Sequence, residues 1–178
     1  MTLEAPVLRP EATGVDAEIE SHVLTGQHRQ ALLMCTRHYA PSIGRLCMAL
    51  LGSQSEAEDA TQEILMEAHS SFGNWRAEGS LKGWLFTIAR RRCAKTLERR
   101  GRRENRLRLV QSAPGTEHAE DWMLRRERAQ RARVAIDTIR PSEREALLLR
   151  FAGDLSFREV GEACGIDEAA ARKRVSRA

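Results

Sequence analysis

Between positions 90 and 108 the chain carries ten Arg or Lys residues and two acids, Glu98 and Glu104. Too few carboxylates sit at i±4 to neutralise that run on its own helix. The chemistry it suits is phosphate binding, because every neutralised phosphate releases condensed counterions. Just upstream stand Phe72, Trp75, Trp84 and Phe86. Aromatic rings beside a basic groove can stack on unpaired bases, each worth about 1–3 kcal/mol. Trp84 shares a stripe with Leu81, Leu85 and Ile88, so its first reading is core. A second basic group ends the chain, with Arg172, Lys173, Arg174 and Arg177 following Asp167. Arg and Lys on one helix face can donate to guanine edges in a major groove. An ordinary helical hairpin with a solvated basic face is the competing reading.

Other chemistries find no support. There is no Ser/His/Asp set, phosphate-binding loop or metal-ligand spacing, so no catalytic residue, metal or cofactor is expected. His22, His28, His38, His69 and His118 are scattered. Cys35, Cys47, Cys93 and Cys164 form no C-x-x-C pair and fall at apolar helical positions, as buried thiols do.

These residues must be positioned by helices. Ala, Leu, Arg and Glu dominate, and aromatics make up 4% of 178 residues. The expected class is all-α, with two small helical domains joined by a flexible linker. Ile43, Leu46, Cys47, Leu50 and Leu51 recur at helical spacing. Gly52 closes that helix, and Ser53 or Ser55 caps the next. The following helix buries Ala60, Ile64, Leu65 and Ala68 and shows Asp59, Gln62, Glu63, Met66 and Glu67 on its other face. A third helix starts near Ser80. Periodicity fails over residues 109–123, around Pro114 and Gly115. It resumes by Met123, and Pro141 opens a further helix. Near the end, Ser156 caps a short helix, Gly165 supplies a turn of positive φ, and Asp167 caps a last helix. This is helix-turn-helix spacing, whose second helix would present Ala169, Arg172, Lys173, Arg174 and Arg177.

Charge is unevenly spread. Residues 1–70 hold 4 Arg/Lys against 10 Asp/Glu, residues 71–110 hold 12 against 3, and residues 111–178 hold 13 against 12. An acidic block before a basic one points to two partners, a protein surface and a nucleic acid. The opening stretch has no apolar core, and no run approaches the ~18 apolar residues of a membrane span. No membrane insertion is expected, and a cytoplasmic location follows.

At this point the residues resemble a known family, the extracytoplasmic-function (ECF) sigma factors of bacterial RNA polymerase. The resemblance rests on Ala57–Glu63, on Trp84-Leu85 followed by Ile88-Ala89-Arg90, on Arg99-Arg100, and on the C-terminal stretch from Ile139. Residues 1–20, mixed and holding Pro6, Pro10 and Gly14, read as a mobile tail; the resemblance implies a region 2 domain over 21–108, a linker over 109–127 and a region 4 domain over 128–178. It implies that Asp59, Gln62, Glu63, Met66 and Glu67 bind core RNA polymerase, whose β′ and β subunits are the expected partners. By the same resemblance Phe72, Asn74, Trp75, Arg76, Lys82, Arg90, Arg91 and Lys95 bind the −10 element of promoter DNA. The face from Ala169 to Arg177 binds the −35 element. An anti-sigma factor is a further implied partner, and no small-molecule substrate is expected. The alternative is a free-standing helix-turn-helix regulator that binds an operator without polymerase.

Overall fold

The computed structural model describes residues 14–107, 134–136 and 138–178. Every regular element among them is helical: α1 (Gly14–Leu24), α2 (His28–Leu51), α3 (Gln54–Ser71), a 3-10 turn (Phe72–Asn74), α4 (Leu81–Leu107), α5 (Pro141–Phe151), α6 (Phe157–Cys164) and α7 (Glu168–Arg177).

Local chemistry sets most of the boundaries. α2 stops where Gly52 takes φ 78° and returns its N–H to the Met48 carbonyl, a left-handed conformation cheap only for glycine. Ser53 then caps α3 by accepting the Glu56 N–H. Ser80 Oγ accepts the N–H of Gly83 at the start of α4. Pro141 occupies the first turn of α5, where its missing N–H costs nothing. Ser156 and Glu159 form a reciprocal capping box on α6. Gly165 adopts φ 67°, and Asp167 accepts the Ala170 N–H to start α7.

The N-terminal helices pack α2 against α3 and α4 around Ile43, Leu46, Ile64, Leu85, Phe86 and Ala89, all buried. Each Ile, Leu or Phe side chain among them contributes about 1.5–3 kcal/mol on leaving water. α5 to α7 add Leu149, Leu155, Val160 and Ala171 to the same continuous core.

The first helix corrects one expectation. It begins at Gly14, where a mobile tail was expected to run to residue 20. Ile19 is fully buried, and the Tyr39 hydroxyl donates to Asp16. Only Val15, Ile19 and Val23 mark its apolar side, too short a pattern to stand out beside nearby Pro and Gly. Residues 1–13 of the expected tail and the expected linker, 109–127, lie outside the described residues.

Candidate nucleic-acid interface

The five-residue face expected on α3 divides in two. Asp59, Gln62, Glu63 and Met66 are exposed, and Glu67 is half-buried. Asp59 and Gln62 border an apolar groove of about 1000 Å³ between α2 and α3, lined also by Met48, Ala49, Leu65 and Ile136. Glu63 and Glu67, one turn apart, lean instead toward α4. Arg92 Nη1 lies 3.1 Å from Glu63, and its Nη2 pairs with Glu67. A basic position of the 90–108 run is thus neutralised by the acidic helix beside it.

The loop between α3 and α4 rests on aromatic rings. Phe72 is 1% exposed, with the rings of His28, His69 and Trp84 at 5.8, 6.1 and 6.1 Å. Trp75 is also buried. In this arrangement both rings are packed into the protein. They support the loop from beneath, because His28 and Trp84 close over the ring from other helices. Asn74 and Arg76 project into solvent. Ala77 holds φ 56° in the same loop, a left-handed conformation that disfavours any residue with a Cβ.

On α4, Arg91 and Lys95 are exposed, while Lys82 and Arg90 are half-buried. Lys82 Nζ donates to the Asp154 carbonyl at 2.7 Å and faces Glu159 at 3.8 Å. Arg90 pairs with Glu145 at 3.2 Å, and its buried Nε has no hydrogen-bond partner among the described residues. Two of the cations expected on DNA are therefore held by the C-terminal helices.

On α7, Ala169, Arg172, Lys173 and Arg177 are exposed and Arg174 is half-buried, while Ala171 points into the core. Arg172 reaches Glu168 at 2.8 Å and lies 4.4 Å from the centre of the Phe157 ring. Its guanidinium is pre-oriented, which lowers the freedom lost on binding.

The thiols behave as packing groups. Cys35, Cys47 and Cys93 are buried and unlinked. Burial pushes the Cys35 thiol up to about 12. Cys93 donates to Cys47 across 3.6 Å, and that bond together with burial raises its pKa. Among the described residues no His/Cys/Asp/Glu group could hold a metal ion, and no helix is long and apolar enough to cross a membrane.

Two contacts escaped the sequence. Glu20, buried, accepts the Leu81 N–H at 2.9 Å, and Glu162 accepts from both the N–H and the hydroxyl of Ser80. Each pairs residues more than sixty positions apart, and no local pattern marks either carboxylate.

The sequence matches the family described as sigma-70 region 2 over residues 35–103 and that described as sigma-70, region 4 over residues 129–178. The ECF RNA polymerase sigma factor EcfG of Rhodopseudomonas palustris is 30% identical over 145 residues, covering 78% of this chain and 75% of EcfG. The chain belongs to the ECF sigma factors. A second ECF sigma factor, SigE of Mycolicibacterium smegmatis, is 30% identical over 148 residues, covering 79% of this chain and 56% of SigE. Among solved structures, the sigma factor RpoE of Bartonella quintana, crystallised with the anti-sigma factor NepR, aligns with TM-score 0.61 and 26% identity. That alignment covers 85% of this chain and 91% of RpoE. CnrH, solved with the cytosolic domain of CnrY, aligns with TM-score 0.67 over 92% of this chain and 91% of CnrH; at 13% identity it shows a shared fold. As an ECF sigma factor this protein binds RNA polymerase and promoter DNA and serves transcription initiation. The free-standing regulator is not favoured.

Proposed function

We propose that this sigma factor divides its contacts among three surfaces. Asp59, Gln62 and Met66, beside the apolar groove, dock on the β′ subunit of core polymerase, with Glu63 and Glu67 on the flank. Asn74, Arg76, Arg91 and Lys95 take the melted non-template strand of the −10 element, and Phe72 and Trp75 hold the loop that reads it. Lys82 and Arg90 join them once their carboxylate partners withdraw. Ala169, Arg172, Lys173, Arg174 and Arg177 face the −35 duplex, and the C-terminal domain also meets the β subunit. The domains are those expected above, with the first helix added to the N-terminal one.

Physics supports this division. Melting costs stacking and pairing, and capturing an extruded base offsets part of that cost. The −35 contact supplies register. Two weak DNA modules held on one polymerase gain by effective concentration. Polymerase supplies the catalysis, in the cytoplasm, and the chain contributes no reacting group of its own. Between activations an anti-sigma factor holds it, as NepR does RpoE.

The observation that carries this reading is that Asp59, Gln62 and Met66 stand exposed on the acidic helix α3, and Arg91 and Lys95 stand exposed on the basic helix α4. The test is a pull-down with purified core polymerase followed by transcription on sheared genomic DNA, with transcript starts sequenced. A discrete set of new starts sharing two spaced elements is expected. No core binding, or starts unchanged by the factor, would reject the reading.

A further inference from the structure

Two thiols touch inside the core. Cys47 lies on α2 and Cys93 on α4, 46 positions apart in the chain, and their Sγ atoms stand 3.6 Å from each other. They are 0% and 1% exposed. The contact makes the pair unequal. Cys93 donates its S–H to the Cys47 sulfur, which holds the Cys47 thiol below its ordinary pKa and pushes Cys93 above its own. Cys47 is therefore the readier thiolate, and Cys93 keeps its proton. A disulfide needs the sulfurs at about 2.05 Å. Closing that gap takes less than the sweep of one cysteine side chain turning between rotamers. A route to the pair is also present. The groove between α2 and α3 is lined by Gly44 and Met48, either side of Cys47 on α2, and by Thr61, whose hydroxyl touches the Cys47 thiol. The groove thus comes within one side chain of the sulfur.

We propose that Cys47 and Cys93 form an oxidisable pair, which a small hydroperoxide converts into a disulfide that staples α2 to α4. The Cys47 thiolate attacks one oxygen of hydrogen peroxide. The O–O bond breaks, hydroxide leaves, and Cys47 becomes a sulfenic acid. The Cys93 sulfur then attacks the Cys47 sulfur, the S–O bond breaks, and a second hydroxide leaves. The two thiol protons turn both hydroxides into water. Two thiols and one peroxide thus give one disulfide and two waters, with two electrons passing from sulfur to oxygen. The cross-link joins positions 46 residues apart, so it restricts the unfolded chain and favours the folded one. Arg91 and Lys95 stand exposed near Cys93 on α4. Oxidation therefore fixes the buried side of that basic helix and leaves its outer face open.

The test uses the full chain, reduced, freed of reductant and treated with hydrogen peroxide under native conditions. Non-reducing peptide mapping should join the Cys47 peptide to the Cys93 peptide. The thermal midpoint should rise by about 5–10 °C and fall back when dithiothreitol is added. Cys35→Ala with Cys164→Ala should form the same bond and gain as much. Cys93→Ala should form no bond and gain nothing. If that variant does not fold, the wild-type peptide map and midpoint decide. Absence of the bond, while all four thiols still titrate in denaturant, would overturn the proposal. So would a bond to Cys35 or Cys164, a bond that forms only in the unfolded chain, or one that lowers the midpoint. None of these readouts involves polymerase or DNA, so they stand apart from the surfaces proposed above.

Discussion

Glu20 Oε1 accepts the backbone N–H of Leu81 across 2.9 Å, tying α1 to the first turn of α4 from a position 5% exposed. A buried N–H stripped of its acceptor costs about 1–3 kcal/mol. Glu20→Ala should lower the unfolding free energy by that amount in urea titrations, and Glu20→Gln, which keeps an acceptor oxygen, by less. Equal stability in all three proteins would mean that water replaces the carboxylate without loss.

Asp59→Arg should weaken core-polymerase binding at least about tenfold, since a like charge set against a basic partner repels it. The residue is exposed, so the thermal midpoint should stay where it is. Affinity measured by fluorescence anisotropy decides the matter, and an unchanged value would move the docking face elsewhere.

Arg91 and Lys95 stand exposed on α4. If each neutralises one phosphate of a single strand, removing either should reduce the slope of log K against log salt by about 0.7. Arg92→Ala, whose charge is already matched by Glu63 and Glu67, should change the slope less. Identical slopes in all three would place the strand off this face.

Arg172→Ala should cost about 1–3 kcal/mol at one base pair of a duplex site if the guanidinium reads an edge. Phe157→Leu should reproduce part of that loss, because the ring that holds Arg172 lies 4.4 Å away. Binding selections with randomised −35 DNA separate the outcomes. Uniform weakening across all sequences would assign Arg172 to phosphate.

Cys35 should resist thiol reagents in the native state, since burial raises its pKa from 9.0 to about 12 and only the thiolate reacts. Burial of the neutral thiol also makes stability depend on pH. The unfolded thiol ionises first, so this contribution is intact below pH 9.0 and is lost as pH rises toward 12. Half-buried Cys164 should label first, with all four reacting in denaturant. Rapid native labelling of Cys35 would contradict its burial.

What was legible in the sequence follows from how far each signal reaches along the chain. Gly52, Ser53, Pro141, Ser156, Gly165 and Asp167 act within four residues of themselves. Their roles could be read from spacing, and the helix-turn-helix with them. Nothing local tells whether the rings of Phe72 and Trp75 are covered or open. His28, forty-four residues earlier, supplies part of the cover. Glu63 and Glu67 looked equivalent to Asp59 on a helical wheel until Arg92, on another helix, drew them aside. Glu162 on Ser80 lay furthest out of reach, since it joins two halves whose packing no periodicity encodes.

Arg92 belongs to two surfaces at once. It stands on α4, the helix proposed above to meet DNA, and its partners stand on α3, the helix proposed to meet polymerase. A ligand that claims Glu63 or Glu67 therefore unmasks a positive charge beside the nucleic acid, and a phosphate that claims Arg92 returns two carboxylates to solvent. Thermodynamic reciprocity makes these one exchange seen from either side. A substitution at position 92 would be felt by both partners, though it need touch neither directly.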